Sequence, residues 1–382
     1  MSSVRILHAS DLHISIFKNM VSPVDHLAQL AHGSISPHEL PGIARQAWKA
    51  FRQKMTASSY DPSVLKLLSH FIYDHAKEKI RNDEVLREEG KEKIDAVLLS
   101  GDLATTGTVR DMERVNEFLW SEAHQRYPYE NLNHEATLSA VASPIWFLPG
   151  NHDRFIPSSG WTRILGVPLP RFFDPGATNF DERLADFQTE PAQELGAVPD
   201  WHEGPTPFRV VVLAADFSLK KLGDHDGDYG WLAQGRVYEN VLELLVEKTE
   251  AATRRHEAFG TGNLCLLWAV HYPPSFPHIS HTSGLLQEED LIAQANRCGV
   301  AAILPGHTHE QFSYRKPSMN FEVLCCGSTT QFVPSNTRGR NRLQILEFSG
   351  DPSSSIKIAV ENYVFKRAGE RGAPISYFYP ER

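Results

Sequence analysis

Two histidines stand two residues apart in GHTH (306–309), directly after the apolar run AAILP. That spacing suits a metal clamp, a general-base site or two ordinary histidines closing a strand, and the pair alone does not choose. The rest of the chain supplies more groups of the same kind. Asp11 and His13 follow VRILHAS, and Asp102 follows IDAVLLSG. Asn151, His152 and Asp153 follow SPIWFLPG, and His271 follows LCLLWAV. Imidazoles, carboxylates and an amide without a thiolate suit Mn, Fe, Co, Ni or Zn better than a cage for Mg or Ca alone. With the GHTH pair these groups number nine, and seven ligands drawn from them would already be too many for one tetrahedral zinc. They suffice for two ions that share a bridging carboxylate about 3.5–4 Å apart. Apart from Asp153, the carboxylates among these groups are Asp11 and Asp102, so two divalent cations would leave the site positive and suited to a phosphoryl oxygen. In an extended segment, residues i and i+2 point the same way. Asp11 with His13, and His307 with His309, are therefore each expected to converge on one site.

Every one of these groups ends a short run rich in Val, Ile, Leu and Phe, which reads as a buried strand. Helical patterns lie between the runs, over 61–80, 109–125, 229–253 and 285–298, with Asp61 as N-cap and Pro62 at the first helical position of the first. Strands alternating with helices predict an α/β layered fold, in which ligands gather at strand ends. Toward the C-terminus FEVLCCGS, NRLQILEFS and SSIKIAVENYVF follow one another with little helix between, as antiparallel strands do. That texture predicts either a mixed sheet that turns antiparallel or two sheets packed face to face. Two Pro- and Gly-punctuated stretches, 14–60 and 154–207, break the rhythm. The first is expected to hold one short helix around GIARQAWKAFRQKM. With no repeat and no linker, residues 1–382 read as one domain carrying two elaborations that shape or cover the active site.

The chain has 382 residues, 41% of them hydrophobic and 22% charged, with a formal net charge of −9. These are the proportions of a globular protein with a sizeable core. The acidic balance argues against a surface built for nucleic acid. The opening MSSVRILHASDLH has no charged leader before an apolar stretch, and no later run approaches a membrane span, so neither signal peptide nor transmembrane helix is expected. Four cysteines without CxxC spacing, two of them adjacent, read as reduced core residues of a cytoplasmic protein.

Taken in order, DLH (11–13), GDLATTG (101–107), GNHD (150–153), His271 and GHTH (306–309) resemble the motif blocks of the calcineurin-like metallophosphoesterase superfamily. The resemblance implies a four-layer αββα sandwich, two mixed β-sheets flanked by helices. It implies that Asp11, His13 and His309 hold one metal, Asn151, His271 and His307 a second, and that Asp102 bridges them. His152 is then a proton donor to the leaving group, and the nucleophile a hydroxide shared by the two ions, with Mn, Fe or Zn the expected metals. Thr105 stands where the protein phosphatase branch has an aspartate, in GDxxDRG, so GDLATTG looks more like the branch with the class III cyclic nucleotide phosphodiesterases. DYGWLAQGRVYENVLELL resembles that branch too. The expected activity is hydrolysis of a small-molecule phosphodiester, a cyclic nucleotide or a glycerophosphodiester. A phosphomonoesterase or nucleotidase is the alternative. A DNA-repair-type nuclease, suggested by LHASDLH, and a non-catalytic scaffold stand further back. Asp153, Arg154 and His281 are candidates for supporting or substrate contacts, and His8 reads as a structural histidine.

Overall fold

The structure is a computed structural model. It describes residues 3–14, 61–76, 79–81, 84–86, 93–104, 109–120, 138, 144–158, 169–172, 187, 190–203, 206–218, 235–259, 262–274, 284–330, 341–351, 355–370 and 372–381. The helix expected around 42–55 lies outside them, as does most of the 14–60 stretch.

The main strands are β1 (Ser3–Ala9), β2 (Ala96–Ser100), β3 (Ile145–Leu148), β4 (Ala192–Val198), β5 (Phe208–Ala215) and β6 (Asn263–Val270). They continue with β7 (Ala302–Leu304), β8 (Gln311–Tyr314), β9 (Glu322–Cys326), β10 (Arg342–Ser349), β11 (Lys357–Lys366) and β12 (Tyr377–Pro380). Among the described residues four α-helices of ten residues or more accompany them: α1 (Pro62–Ala76), α2 (Val109–Trp120), α3 (Glu239–Phe259) and α4 (Glu288–Arg297). One six-stranded sheet runs β12-β11-β10-β1-β2-β3, and the other runs β8-β9-β7-β6-β5-β4. Both are mixed. β1, β2 and β3 are parallel in the first, and β5, β6, β7 and β9 in the second, with antiparallel partners outside them.

Alternation along the strands sorts the apolar residues into three cores. Leu7, Ala9, Val97 and Leu99 face α1 and α2, against Leu68, Phe71, Val115 and Phe118. On the opposite face of the same strands Val4, Ile6, Ala96 and Leu98 meet Val210, Val212, Leu267 and Leu304 of the second sheet. Val211, Leu213, Trp268 and Ile303 then face α3 and α4, against Leu245, Ala252 and Leu291. The layers run helix, sheet, sheet, helix. The fold is the expected αββα sandwich.

The start of α1 is as read from the sequence. The Asp61 carboxylate accepts the Ser63 N–H at 3.0 Å, and its carbonyl accepts those of Val64 and Leu65. Three details differ from the sequence reading. Gly235–Arg236 and Leu285–Leu286, inside the helices expected over 229–253 and 285–298, pair as short parallel strands, so that the helices begin only at Glu239 and Glu288. FEVLCC is not part of an antiparallel C-terminal run, because β9 joins the second sheet beside β7, while NRLQILEFS and IKIAVENYVF pair in the first. The stretch 154–207 also contributes β4, an edge strand whose register shifts between Glu194 and Gly196. Its sequence AQELGAV has no clean alternation because the bulge re-aims its side chains. Among the described residues no helix is long and apolar enough to cross a membrane, and the four cysteines are free thiols.

Candidate metal centre

β1, β2 and β3 of one sheet and β6 and β7 of the other all end at the same edge of the sandwich, and the motif residues occupy the turns that follow. Those turns are not extended. Asp11, His13, Asp102, His307 and His309 have φ of 55°, 49°, 50°, 69° and 56°. A side chain in this left-handed region costs on the order of 1–3 kcal/mol and persists where surrounding bonds dictate it. The convergence of Asp11 with His13, and of His307 with His309, therefore comes from left-handed turns and not from strand parity as expected. Backbone bonds impose the turns: Asp11 N–H donates to Gly101 C=O at 3.0 Å and His13 N–H to Asp102 C=O at 2.9 Å. His307 N–H donates to Asp11 Oδ2 at 3.0 Å, tying the GHTH turn to the DLH turn across the two sheets. Two motif glycines are there for close approach. A Cβ on Gly150 would stand 2.2 Å from Asp102 Oδ1, and one on Gly306 1.9 Å from Ser10 Oγ.

The side chains fall into overlapping groups whose donor atoms all lie within 4.8 Å of one another: Asp11, His13 and His309; Asp102, His271 and His307; and His13, Asp102 and His152. In the first, His13 Nε2 and His309 Nε2 face each other at 3.1 Å, and Asp11 Oδ1 lies 3.3 Å from His309 Nε2. In the second, His271 Nδ1 donates to Ser100 C=O at 2.9 Å, so Nε2 is the atom turned to the cluster. It meets Asn151 Oδ1 at 3.0 Å and Asp102 Oδ2 at 3.3 Å, which brings Asn151 into the group. His152 packs edge-on against His13 with ring centroids 4.6 Å apart, and its N–H donates to Asp102 Oδ1 at 2.8 Å. The donor set fits cations. Asp11 Oδ1 is buried with no aligned hydrogen bond, and ring nitrogens confront one another and carboxylate oxygens at contact distance. Such facing lone pairs repel unless a proton or a metal lies between them.

Charges follow from burial and neighbours. Burial opposes ionisation of Asp102, yet His271, His152 and His13 hold its carboxyl well below the usual range. Burial likewise opposes Asp11, and His309 and His271 outweigh it. Burial brings His13 down to about 4, aided by His152, and His307 down to about 3, aided by His271. Those two imidazoles are neutral at pH 7 and have a lone pair to offer. For His271 burial is overcome by Asp102, which raises it to about 9 in the protein alone.

A family model described as calcineurin-like phosphoesterase matches residues 4–311. The chain belongs to the calcineurin-like phosphoesterases. No curated protein sequence matches it significantly. Solved structures that resemble it include a dimetal phosphatase from Danio rerio, at 12% identity over 93% of this chain and 98% of that one, with a TM-score of 0.47. A phosphopantetheinyl hydrolase from Mycobacterium tuberculosis is 12% identical over 85% of this chain and 90% of that one, with a TM-score of 0.33. As a calcineurin-like phosphoesterase the chain has a His/Asp cluster that fits a dinuclear centre. The family match ends at residue 311, yet the first sheet does not: Arg342–Ser349 pairs antiparallel with β1.

The seven expected ligands and His152 all reach this cluster. Asp153 does not meet the His152 ring among the described contacts. It is wholly buried and accepts the N–H groups of Gly150, Leu103 and Ala104 at 2.8, 3.2 and 2.7 Å, so it fastens the GNHD turn to the GD turn. Burial first, then Asp102, pushes its carboxyl up to about 7 against those bonds. Arg154 closes the turn His152–Arg154, but its side chain and the whole of His281 fall outside the described residues. His8 is a core residue: Gln344 Nε2 donates to its Nδ1 at 2.7 Å, and its Nε2 lies 2.8 Å from Ser100 Oγ. The sequence reading passed over Ser100, whose carbonyl orients His271. Its only signal was its place as the last strand residue before GD.

Proposed function

We propose that this calcineurin-like phosphoesterase is a two-metal hydrolase of small-molecule phosphodiesters. The reading assigns Asp11, His13 and His309 to one ion, Asn151, His271 and His307 to the other, and Asp102 to both. What supports it above all is that Asp102 belongs to ligand groups on both sides of it, its carboxylate lying beside His13 on one side and His271 on the other. When bound, the ions would neutralise phosphoryl charge and activate water. Transition metals of the Mn, Fe or Zn kind suit the mixed imidazole and oxygen donors.

The chain's own residues do the rest. Neutral His13 and His307 present lone pairs, and Ser100 C=O fixes the tautomer of His271 so that Nε2 faces inward. Asp102 is held by the His152 N–H on Oδ1, which leaves Oδ2 toward His271. His152 stands beside the first ligand group, where its imidazole can give a proton to a departing alkoxide. Its nearness to His13 and Asp102 also satisfies a ligand group, so loss of a proton donor and loss of a ligand are the two outcomes a His152 variant distinguishes. The diester preference rests on Thr105 in GDLATTG and on the other blocks that look like the phosphodiesterase branch. We take residues 1–382 as one domain in the cytoplasm, with 14–60 and 154–207 bordering the substrate pocket. Turnover of bis(4-nitrophenyl) phosphate against 4-nitrophenyl phosphate, with Mn²⁺ added, tests the reading. The expected result is a higher kcat/KM for the diester; a clear preference for the monoester replaces it with a phosphomonoesterase.

A further inference from the structure

The turn that carries Asp11 and His13 is held on two flanks, and the flanks differ in kind. On one, Gly101 and Asp102 accept the N–H groups of Asp11 and His13 through their backbone carbonyls. On the other stand three consecutive hydroxyl residues, Ser328, Thr329 and Thr330, in the turn after β9. They are 2%, 0% and 0% exposed. Thr329 Oγ1 accepts the Ser10 N–H at 3.2 Å, while Thr329 N–H donates to Ser10 C=O at 2.9 Å. Ser328 Oγ donates to Asp11 C=O at 3.0 Å, and Thr330 Oγ1 donates to Leu12 C=O. Residues 10, 11 and 12 thus each give one backbone group to one hydroxyl of the clamp.

The arrangement bears on the site because the turn is strained. Asp11 and His13 both sit in the left-handed region, where a non-glycine residue stays only if its peptide groups are fixed from outside. The carbonyls of Asp11 and Leu12 are the peptides that a relaxing turn would rotate, and Ser328 and Thr330 hold them. A clamp from the backbone alone would not depend on side-chain identity; this one requires three successive hydroxyls. It also comes from the second sheet, so it couples the metal-binding turn of one sheet to the other.

We propose that Ser328, Thr329 and Thr330 are positioning residues for the ion assigned to Asp11, His13 and His309. They set that half of the centre by imposing its turn. This rests on the two-metal reading above. Loss of a partner behind a metal ligand costs roughly 10–100-fold in metal affinity. Titration of the metal-free full chain with Co²⁺, followed by visible absorption and calorimetry, separates the cases. Ser328→Ala and Thr330→Val are expected to weaken one of two binding events about tenfold or more and leave the other within about threefold. Thr330→Ser, which keeps the hydroxyl, restores wild-type titration. Equal weakening of both events, no weakening, or Thr330→Ser behaving like Thr330→Val overturns the clamp. A wild-type chain that takes up fewer than two ions overturns the two-metal reading and the clamp with it. A wild type that takes up two, matched by both variants, overturns the clamp alone.

Discussion

His152 is the residue at which a single substitution separates proton donation from metal binding. Its imidazole touches His13, its backbone N–H holds Asp102, and no backbone change is needed to remove the ring. His152→Ala is expected to keep both ions and to lose about 10²–10⁴-fold in kcat on diesters with alkoxide leaving groups. The loss should shrink when the leaving group is 4-nitrophenolate, which departs without a proton. Metal analysis beside leaving-group kinetics checks this; a variant short of one ion makes His152 a ligand instead. Asp153, next in the chain, shows how a residue can be indispensable to a site without facing it. Its carboxylate takes three N–H groups from two motif turns, so that its identity is dictated by the loops behind the chemistry.

At the scale of the elements, strands aim the groups but turns place them. The sequence announced every strand that ends in the site, because a run of apolar residues followed by a chemically active one is legible by pattern. It could not announce the turns. Asp11, His13, His307 and His309 look like period-two strand residues, and it is bonds to distant partners, Gly101, Asp102, Asp11 Oδ2 and the Ser328–Thr330 hydroxyls among them, that hold the turns left-handed. The bulged β4 and the hydroxyls of Ser328–Thr330 were hidden for the same reason, since their partners are distant in sequence. Gly150 is the sharpest test of turn placement. Gly150→Ala puts a methyl group 2.2 Å from Asp102 Oδ1 and 2.4 Å from Asp102 N, where backbone cannot give way. It should lower stability by about 1–3 kcal/mol and metal affinity by tenfold or more, read by urea unfolding and by metal titration. His8 tests the inter-sheet core. Burial drives its pKa from 6.5 down to about 3, with Asp11 pulling weakly the other way. Its neutral form is favoured by folding, so its contribution is intact above the unfolded pKa and is lost as pH falls from about 6.5 toward 3. Between pH 6 and 4 the metal-free wild type should lose about 1.4 kcal/mol per pH unit more than His8→Gln. Equal slopes would mean that His8 takes up its proton in the folded state.

At the scale of the molecule, the sandwich brings together what neither sheet holds alone. Asp11, Asp102 and Asn151 follow strands of the first sheet, while His271, His307 and His309 follow strands of the second. Each proposed ion therefore draws ligands from both sheets, and the sheets' shared core of Ile6, Leu98, Val212 and Leu267 sets the spacing between them. A chain of net charge −9 can in this way present a positive centre to an anionic ester, once the two ions are in place. In the proposed centre the GHTH histidines are divided between the ions, His309 with Asp11 and His307 with Asp102. Metal titration of the wild type, His307→Ala and His309→Ala, each starting metal-free, tests it most directly. Two ions on the wild type, with each variant losing a different binding event, is the predicted result. Both variants emptying the same site, or a wild type that binds only one ion, would contradict it.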